Sequence, residues 1–274
     1  MSGSETIAVR RSAYDDGPGE ALTRAIPVEA PVAIEINGIA YAVMMATPLD
    51  LEDFVTGFLL SEGLADVDEI GAIVVHEQGE EQWGRGYVAR VSLPEARLAP
   101  IMERARRRLG DSSCGICGIE SIEAALRPLP PIARRSRTTP QEIRAALDTM
   151  SGLQSLGRLT AATHAAAFSD GTSIKYIRED VGRHNALDKL IGACASDNIN
   201  MKEGFIVVTS RCSYELVEKT VRAGCPLLVS ISAPTDLAVR RARAAGLALA
   251  VLARDDTMLW ASSGAMQAET SDGL

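Results

Sequence analysis

The chain has 274 residues, 46% of them hydrophobic, and a formal net charge of −8. That length suits two domains better than one core, and the acidic balance argues against a non-specific nucleic-acid binder, which would be basic. The longest apolar runs fall well short of a membrane span, so we expect a cytoplasmic protein with no membrane anchorage and no nucleic-acid partner.

Residues 1–26 are polar, contain glycine and mix charges. They lack the apolar core of a signal peptide and are expected to form a flexible N-terminus. A small α+β domain is predicted over 27–126. Val32–Asn37 alternates apolar and polar residues, Asn37-Gly38 is a hairpin turn, and Ile39–Ala46 returns. A helix is predicted from Thr47-Pro48 through Leu60, with Gly63 as its stop and Leu51, Phe54, Val55, Phe58 and Leu59 on one stripe. Strands over Ile70–His76 and Gly86–Leu93 and a helix over Pro100–Leu109 lead into a loop with two cysteines.

Residues 127–139 are rich in proline, arginine and serine and read as a linker. Thr139-Pro140-Gln141-Glu142 has capping-box spacing and opens a helix. Strands at Ser173–Ile177, Phe205–Thr209, Pro226–Ile231 and Leu247–Leu252 alternate with helices at Asn185–Ala195, Tyr214–Ala223 and Leu237–Ala245. This pattern predicts an α/β domain over 140–262 with a mostly parallel, covered sheet. Residues 263–274 are expected to be a flexible tail.

In such a sheet, ligands gather beyond the carboxyl ends of the strands. Three strand-to-helix loops are read there: Glu179–Asn185, Thr209–Ser213 and Ser232–Asp236. Ser213, Thr235 and Asp236 are most simply read as helix caps. Arg183, His184 and Arg211 are harder to dismiss, because capping needs neither arginine nor histidine. Arginine in two of the loops suits a phosphate-bearing ligand. His164 stands alone among small residues and reads as a ligand contact or as a buried structural histidine.

The five cysteines are 114, 117, 194, 212 and 225. An odd count in a chain this long argues against a secreted disulfide framework. Cys194 and Cys225 read as packed thiols. Ser112-Ser113-Cys114-Gly115-Ile116-Cys117-Gly118 admits four readings: half a zinc site, a dithiol/disulfide pair, a sulfur-carrying nucleophile, or two inert thiols. No second Cys-x-x-Cys exists and the histidines are scattered at 76, 164 and 184, so zinc is not expected. The pair also lacks the strand-to-helix setting of a thioredoxin-like site. Arg104, Arg106, Arg107 and Arg108 before it, and Arg134, Arg135 and Arg137 after it, would favour thiolate. Group transfer suits such a thiol best, with the second cysteine helping to release or exchange sulfur.

Three stretches carry a resemblance: Thr47–Gly63, Cys114–Gly118 and Glu179–Gly192. In that order they are similar to the formate dehydrogenase accessory sulfurtransferase family, over about Ile34 to Ser262. The resemblance implies that a cysteine desulfurase supplies persulfide sulfur to Cys114, with Cys117 as the second cysteine of the motif. It implies that the sulfur passes to the molybdenum bis(molybdopterin guanine dinucleotide) cofactor, the bound substrate, for insertion into formate dehydrogenase. Cofactor contacts are implied at Leu252, Ala253, Arg254, Asp255, Asp256 and Thr257, alongside Arg183, His184 and Arg211. A cytidine-deaminase-like layered domain and a homodimer are implied as well. The chain departs from the family's usual Gly-Gly-Thr-His at Ala161-Ala162-Thr163-His164, and from Ser-Gly-Arg at Thr209-Ser210-Arg211. Cys212 lies where the family is variable.

Deamination is excluded on residues: Ala166 stands two after His164, where a zinc deaminase carries its glutamate, and no proline precedes the cysteine pair. A non-enzymatic molybdenum-cofactor-binding chaperone remains the alternative reading.

Overall fold

The computed structural model describes residues 2–14, 19–79, 84–108, 128–254 and 256–264. Near the start, Ser4–Arg11 (β1) pairs antiparallel with Glu20–Pro27 (β2), from Ser4 against Pro27 to Arg11 against Glu20. This corrects the expected flexible lead-in. The polar composition hides Thr6, Ile7 and Val9 facing Ala25, Arg24 and Leu22 across the ladder, and β-branched residues favour extended pairing.

A four-stranded sheet follows, with Ala30–Ile36 (β3), Ile39–Ala46 (β4), Ile73–Gln78 (β5) and Gly86–Val91 (β6) in the order β4-β3-β6-β5. Asn37 and Gly38 both take positive φ, 49° and 79°, as the predicted two-residue hairpin turn requires. Helix α1 spans Leu51–Ser61 and buries Phe54, Val55, Phe58 and Leu59 against this sheet. It starts later than Thr47-Pro48 suggests, because the Thr47 backbone is bonded elsewhere. Its N–H donates to Asp180 Oδ2 at 3.0 Å and its carbonyl accepts from Lys189 Nζ at 2.8 Å. Helix α2 spans Glu95–Arg108 and begins before Pro100, which lies inside it. Arg97 anchors that early turn to Glu69 and Asp66.

Within the linker, Ile132 donates to the Ala245 carbonyl at 2.8 Å, and Leu129 and Ile132 pack on the second region's core. Helix α3, Pro140–Leu153, carries the predicted capping box: Thr139 accepts from the Glu142 N–H and Glu142 accepts from the Thr139 N–H. A short helix α4, Ser155–Thr160, leads to His164–Ser169 (β7) and Ile174–Asp180 (β8). The remaining elements are α5 (Arg183–Ser196), β9 (Phe205–Val208), α6 (Tyr214–Arg222), β10 (Leu227–Ser230), α7 (Asp236–Ala245), β11 (Ala248–Arg254) and β12 (Thr257–Ser263).

The second sheet has the order β12-β11-β10-β9-β7-β8. It is mixed, which corrects the expected mostly parallel sheet. Only β9–β10 and β10–β11 are parallel, while β7–β8, β7–β9 and β11–β12 are antiparallel. The difference comes from β7 and β12, which sequence reading did not find, each joined to its neighbour by a tight turn. Successive side chains alternate between two cores. Ala166, Phe168, Ile206, Val208, Leu228 and Leu249 meet α5, α6 and α7. Ala165, Ala167, Phe205, Val207, Leu227 and Ala250 meet α3. Both faces are therefore covered, which explains Ala165, Ala166 and Ala167 after His164 as packing, whereas Ala161 and Ala162 before it are exposed.

The two regions meet where α1 crosses α5. A Cβ placed on Gly57 would lie 1.7 Å from the Asp188 carbonyl oxygen, and one on Gly192 would lie 1.9 Å from that of Asp53. Around this contact Arg178 reaches Asp53 at 2.7 Å, and Lys189 pairs with Asp180 at 2.7 Å. Lys219 joins Asp188, Ser61 and Glu62 at 3.0, 2.8 and 3.1 Å. No helix among the described residues is long and apolar enough to cross a membrane.

Candidate functional site

Strand directions gather the predicted residues along one edge. The carboxyl ends of β9, β10 and β11 lie together because these strands are parallel. Strand β7 runs the other way, so its first residue, His164, reaches the same edge, and the register sets it opposite Asp180 at the end of β8. Backbone bonds then stitch the loops into a ridge. Thr209 N–H donates to the Ala165 carbonyl, and Cys212 N–H to that of Ala233. Thr235 N–H donates to the Cys212 carbonyl, and Leu252 N–H to that of Ser232.

At one end of the ridge, α5 begins with Arg183 and His184. His184 Nε2 lies 3.0 Å from Glu215 Oε2 and 3.5 Å from Ser213 Oγ. Arg183 Nη2 stands 4.0 Å from the same Glu215 oxygen. Burial pushes the Glu215 carboxyl up, but the hydrogen bonds and charges of His184, Ser213 and Arg183 outweigh it and hold it below the usual glutamate value. The His164 imidazole lies below its ordinary value of 6.5, first through burial and then through the Arg183 and His184 charges. Ser213 does not cap α6, since its hydroxyl donates to Glu215 at 3.0 Å. Thr235 does cap α7, accepting from the Ala238 N–H, and Asp236 pairs with Arg240.

The Arg211 and Arg254 residues are exposed, and their side chains make no hydrogen bond or ion pair among the described residues. Among the described residues, Arg90, Arg97, Arg144, Arg178 and Arg241 are by contrast tied to carboxylates. The ridge thus presents positive charge that the acidic chain leaves unspent. Leu252 is half-buried at φ 51°, inside an irregular stretch of β11 between Val251 and Arg254. A branched side chain there is strained. Ala253 is buried in the α3-side core and is 1% exposed, so it is packed rather than presented to a ligand. Asp256 bonds Arg144 at 2.8 Å, and Thr257 pairs with Arg254 across the hairpin. Asp255 lies outside the described residues, as do Cys114 and Cys117.

Arg183 and Arg254 do not converge on one point. β8 and β11 are four strand spacings apart, roughly 19 Å at about 4.8 Å each. The edge therefore suits an extended, multiply charged ligand better than a compact one. Sequence reading missed Glu215, because an acid in the first turn of a helix looks like ordinary helix-end chemistry. Asp180 and Asn185, in the loop read as ligand-facing, and Asp188 and Lys189, in the stretch that carries the resemblance, all have side chains that bond within the fold. Shallow recesses of about 310 Å³ beside Arg243 and Trp260, and about 380 Å³ beside Asp50 and Val75, lie apart from these residues.

Comparison with known proteins bears on the same residues. A solved structure described as a putative formate dehydrogenase accessory protein from Desulfotalea psychrophila superposes with a TM-score of 0.75, at 23% identity, over 95% of this chain and 98% of the other. The fold is therefore shared. A sulfur carrier protein FdhD of Xanthomonas euvesicatoria pv. vesicatoria is 45% identical over 256 residues, covering 92% of this chain and 88% of its own. One of the same name from Agrobacterium fabrum is 43% identical over 251 residues, covering 90% and 91%. The profile of the FdhD/NarQ family matches residues 27–263, a span that holds the α1–α5 junction, the cysteine pair and the whole charged edge, and the chain belongs to that family.

Proposed function

We propose that this chain is a sulfurtransferase that carries persulfide sulfur on Cys114 from a cysteine desulfurase to the molybdenum bis(molybdopterin guanine dinucleotide) cofactor, its bound substrate, on behalf of formate dehydrogenase. The observation that carries the reading is the 45% identity, over 92% of the chain, to a protein named as a sulfur carrier. The structure supports it by subtraction. Cys194, Cys212 and Cys225 are fully buried, and burial pushes each thiol up to about 12. Thiolate is the nucleophile in sulfur exchange, so these three cannot carry sulfur near neutral pH. Cys114 and Cys117 are left.

The chemistry balances without a metal. The Cys114 thiolate attacks the outer sulfur of the desulfurase persulfide; the old S–S bond breaks, a new one forms, and the desulfurase thiolate leaves. Release as sulfide needs two electrons. Attack of the Cys117 thiolate on Cys114 Sγ supplies them, expelling hydrosulfide and leaving a Cys114–Cys117 disulfide that an external thiol reduces. The phosphates of the guanine-nucleotide-bearing cofactor lie along Arg183, His184, Arg211 and Arg254, with Leu252–Thr257 as the flanking stretch. The working unit is a homodimer that meets both the desulfurase and the dehydrogenase.

Complementation tests the reading. A strain lacking this protein should recover formate dehydrogenase activity with the wild-type chain and not with Cys114→Ala. Full recovery with Cys114→Ala would favour the chaperone alternative.

A further inference from the structure

Glu215 is an acid set directly against two cations of the ridge. Its Oε2 takes the Ser213 hydroxyl at 3.0 Å and the His184 ring at 3.0 Å, with Arg183 at 4.0 Å. Its Oε1 makes no hydrogen bond among the described residues. The groups remain reachable: side-chain exposure is 22% for Glu215, 25% for His184 and 37% for Arg183. One carboxylate oxygen thus gathers three donors that could equally serve a phosphate oxygen. Arg211 and Arg254, further along the same edge, have no such internal anion.

We propose that Glu215 is a specificity-determining competitor: its carboxylate occupies Arg183 and His184 until a polyanionic ligand displaces it. The inference rests on the reading of the ridge as a phosphate-binding edge and names how that edge chooses. A tethered carboxylate competes at high effective concentration. A singly charged ligand gains nothing by replacing it. A diphosphate also engages Arg211, on the loop that leads into the helix of Glu215, and can; Arg254, four strand spacings from β8, is left to the rest of a longer ligand. Displacement swings one side chain and needs no change in protonation or covalent bonding.

The test titrates guanosine diphosphate and inorganic pyrophosphate into the full-length protein, as wild type and as Glu215→Gln, Glu215→Ala, Arg211→Ala and Arg254→Ala. Removing the competing charge should tighten both ligands about tenfold, the scale of one like charge at a partly exposed site. In the wild type, the His184 ring nitrogens, followed by ¹⁵N NMR, should shift on adding guanosine diphosphate as the bond to Glu215 breaks; this readout needs no variant to fold. Equal or weaker binding in both Glu215 variants, with Arg211→Ala still weakening it, would overturn the competitor role and leave the edge intact. Loss of guanosine diphosphate alone, with pyrophosphate unchanged, would make Glu215 a base reader instead. If neither arginine variant changes either ligand, the phosphate edge itself fails, and this proposal with it.

Discussion

Gly57 and Asp188 lie in backbone contact: a methyl group on Gly57 would sit 1.7 Å from the Asp188 carbonyl oxygen. They belong to the two long motifs that carry the family resemblance, Thr47–Gly63 and Glu179–Gly192. The motifs are two halves of one junction. Thr47, Gly57 and Ser61 on the first side meet Asp180, Asp188 and Lys189 on the second, directly or through Lys219, and Asp53 meets Arg178 just before the second motif.

Closing that gap with a side chain should be costly, because the obstructing atom is backbone. Gly57→Ala and Gly192→Ala should each destabilise by about 3 kcal/mol or more, the upper range for overpacking. Urea unfolding followed by circular dichroism would show it as a lower midpoint. An unchanged midpoint would mean that the helices do not approach this closely.

Lys219 sits beside the fully buried Asp188, with Ser61 at 2.8 Å. Lys219→Met strands that carboxylate without its cation and should cost about 3–5 kcal/mol. The double variant Lys219→Met with Asp188→Leu removes both charges and should be clearly more stable than the single one. A double variant no better than Lys219→Met would show that the pair acts through packing alone.

His164 provides a local check on the edge. Its imidazole is held below 6.5 by burial and by the charges of Arg183 and His184. An NMR titration should give a midpoint below that value, and Arg183→Ala should raise it. The sign for stability follows. The neutral form is favoured in the fold, so the His164 contribution is complete above 6.5. It is lost as pH falls from 6.5 toward the folded midpoint, where only the unfolded chain gains a proton. A midpoint unaffected by Arg183→Ala would separate the two residues.

Cys194, Cys212 and Cys225 should resist thiol reagents in the native protein and react only on unfolding, since burial holds each near 12. A timed reaction with an aromatic disulfide reagent, located by peptide mapping, would show this. Rapid native labelling at Cys212 would contradict its burial and reopen its role beside Arg211.

The parts of the fold written in local chemistry were legible in the sequence. Asn37-Gly38 fixed a hairpin, the Thr139–Glu142 box fixed the start of α3, and alternation fixed β9 to β11. Strand β7 was not legible, because an alanine run covered on both faces has no period to read. The β1–β2 ribbon was hidden by polar residues, and β12 by its consecutive Met258, Leu259, Trp260 and Ala261, which show no alternation. Along the charged edge, Arg183, His184 and Arg211 were singled out because capping requires none of them, and Arg254 through the family resemblance. Glu215 was not found, since its task depends on a histidine 31 positions earlier.

The central claim is that Cys114 is the residue that receives sulfur. Incubation with a cysteine desulfurase and cysteine, followed by intact-protein mass measurement and peptide mapping, tests it most directly. The wild-type chain should gain one sulfur atom on the peptide holding Cys114. That gain should disappear on adding a thiol reductant and be absent in Cys114→Ala, while Cys117→Ala should still load. Loading of Cys114→Ala at Cys117, with none in Cys117→Ala, would reverse the two roles. Undiminished loading when both are replaced would contradict the account.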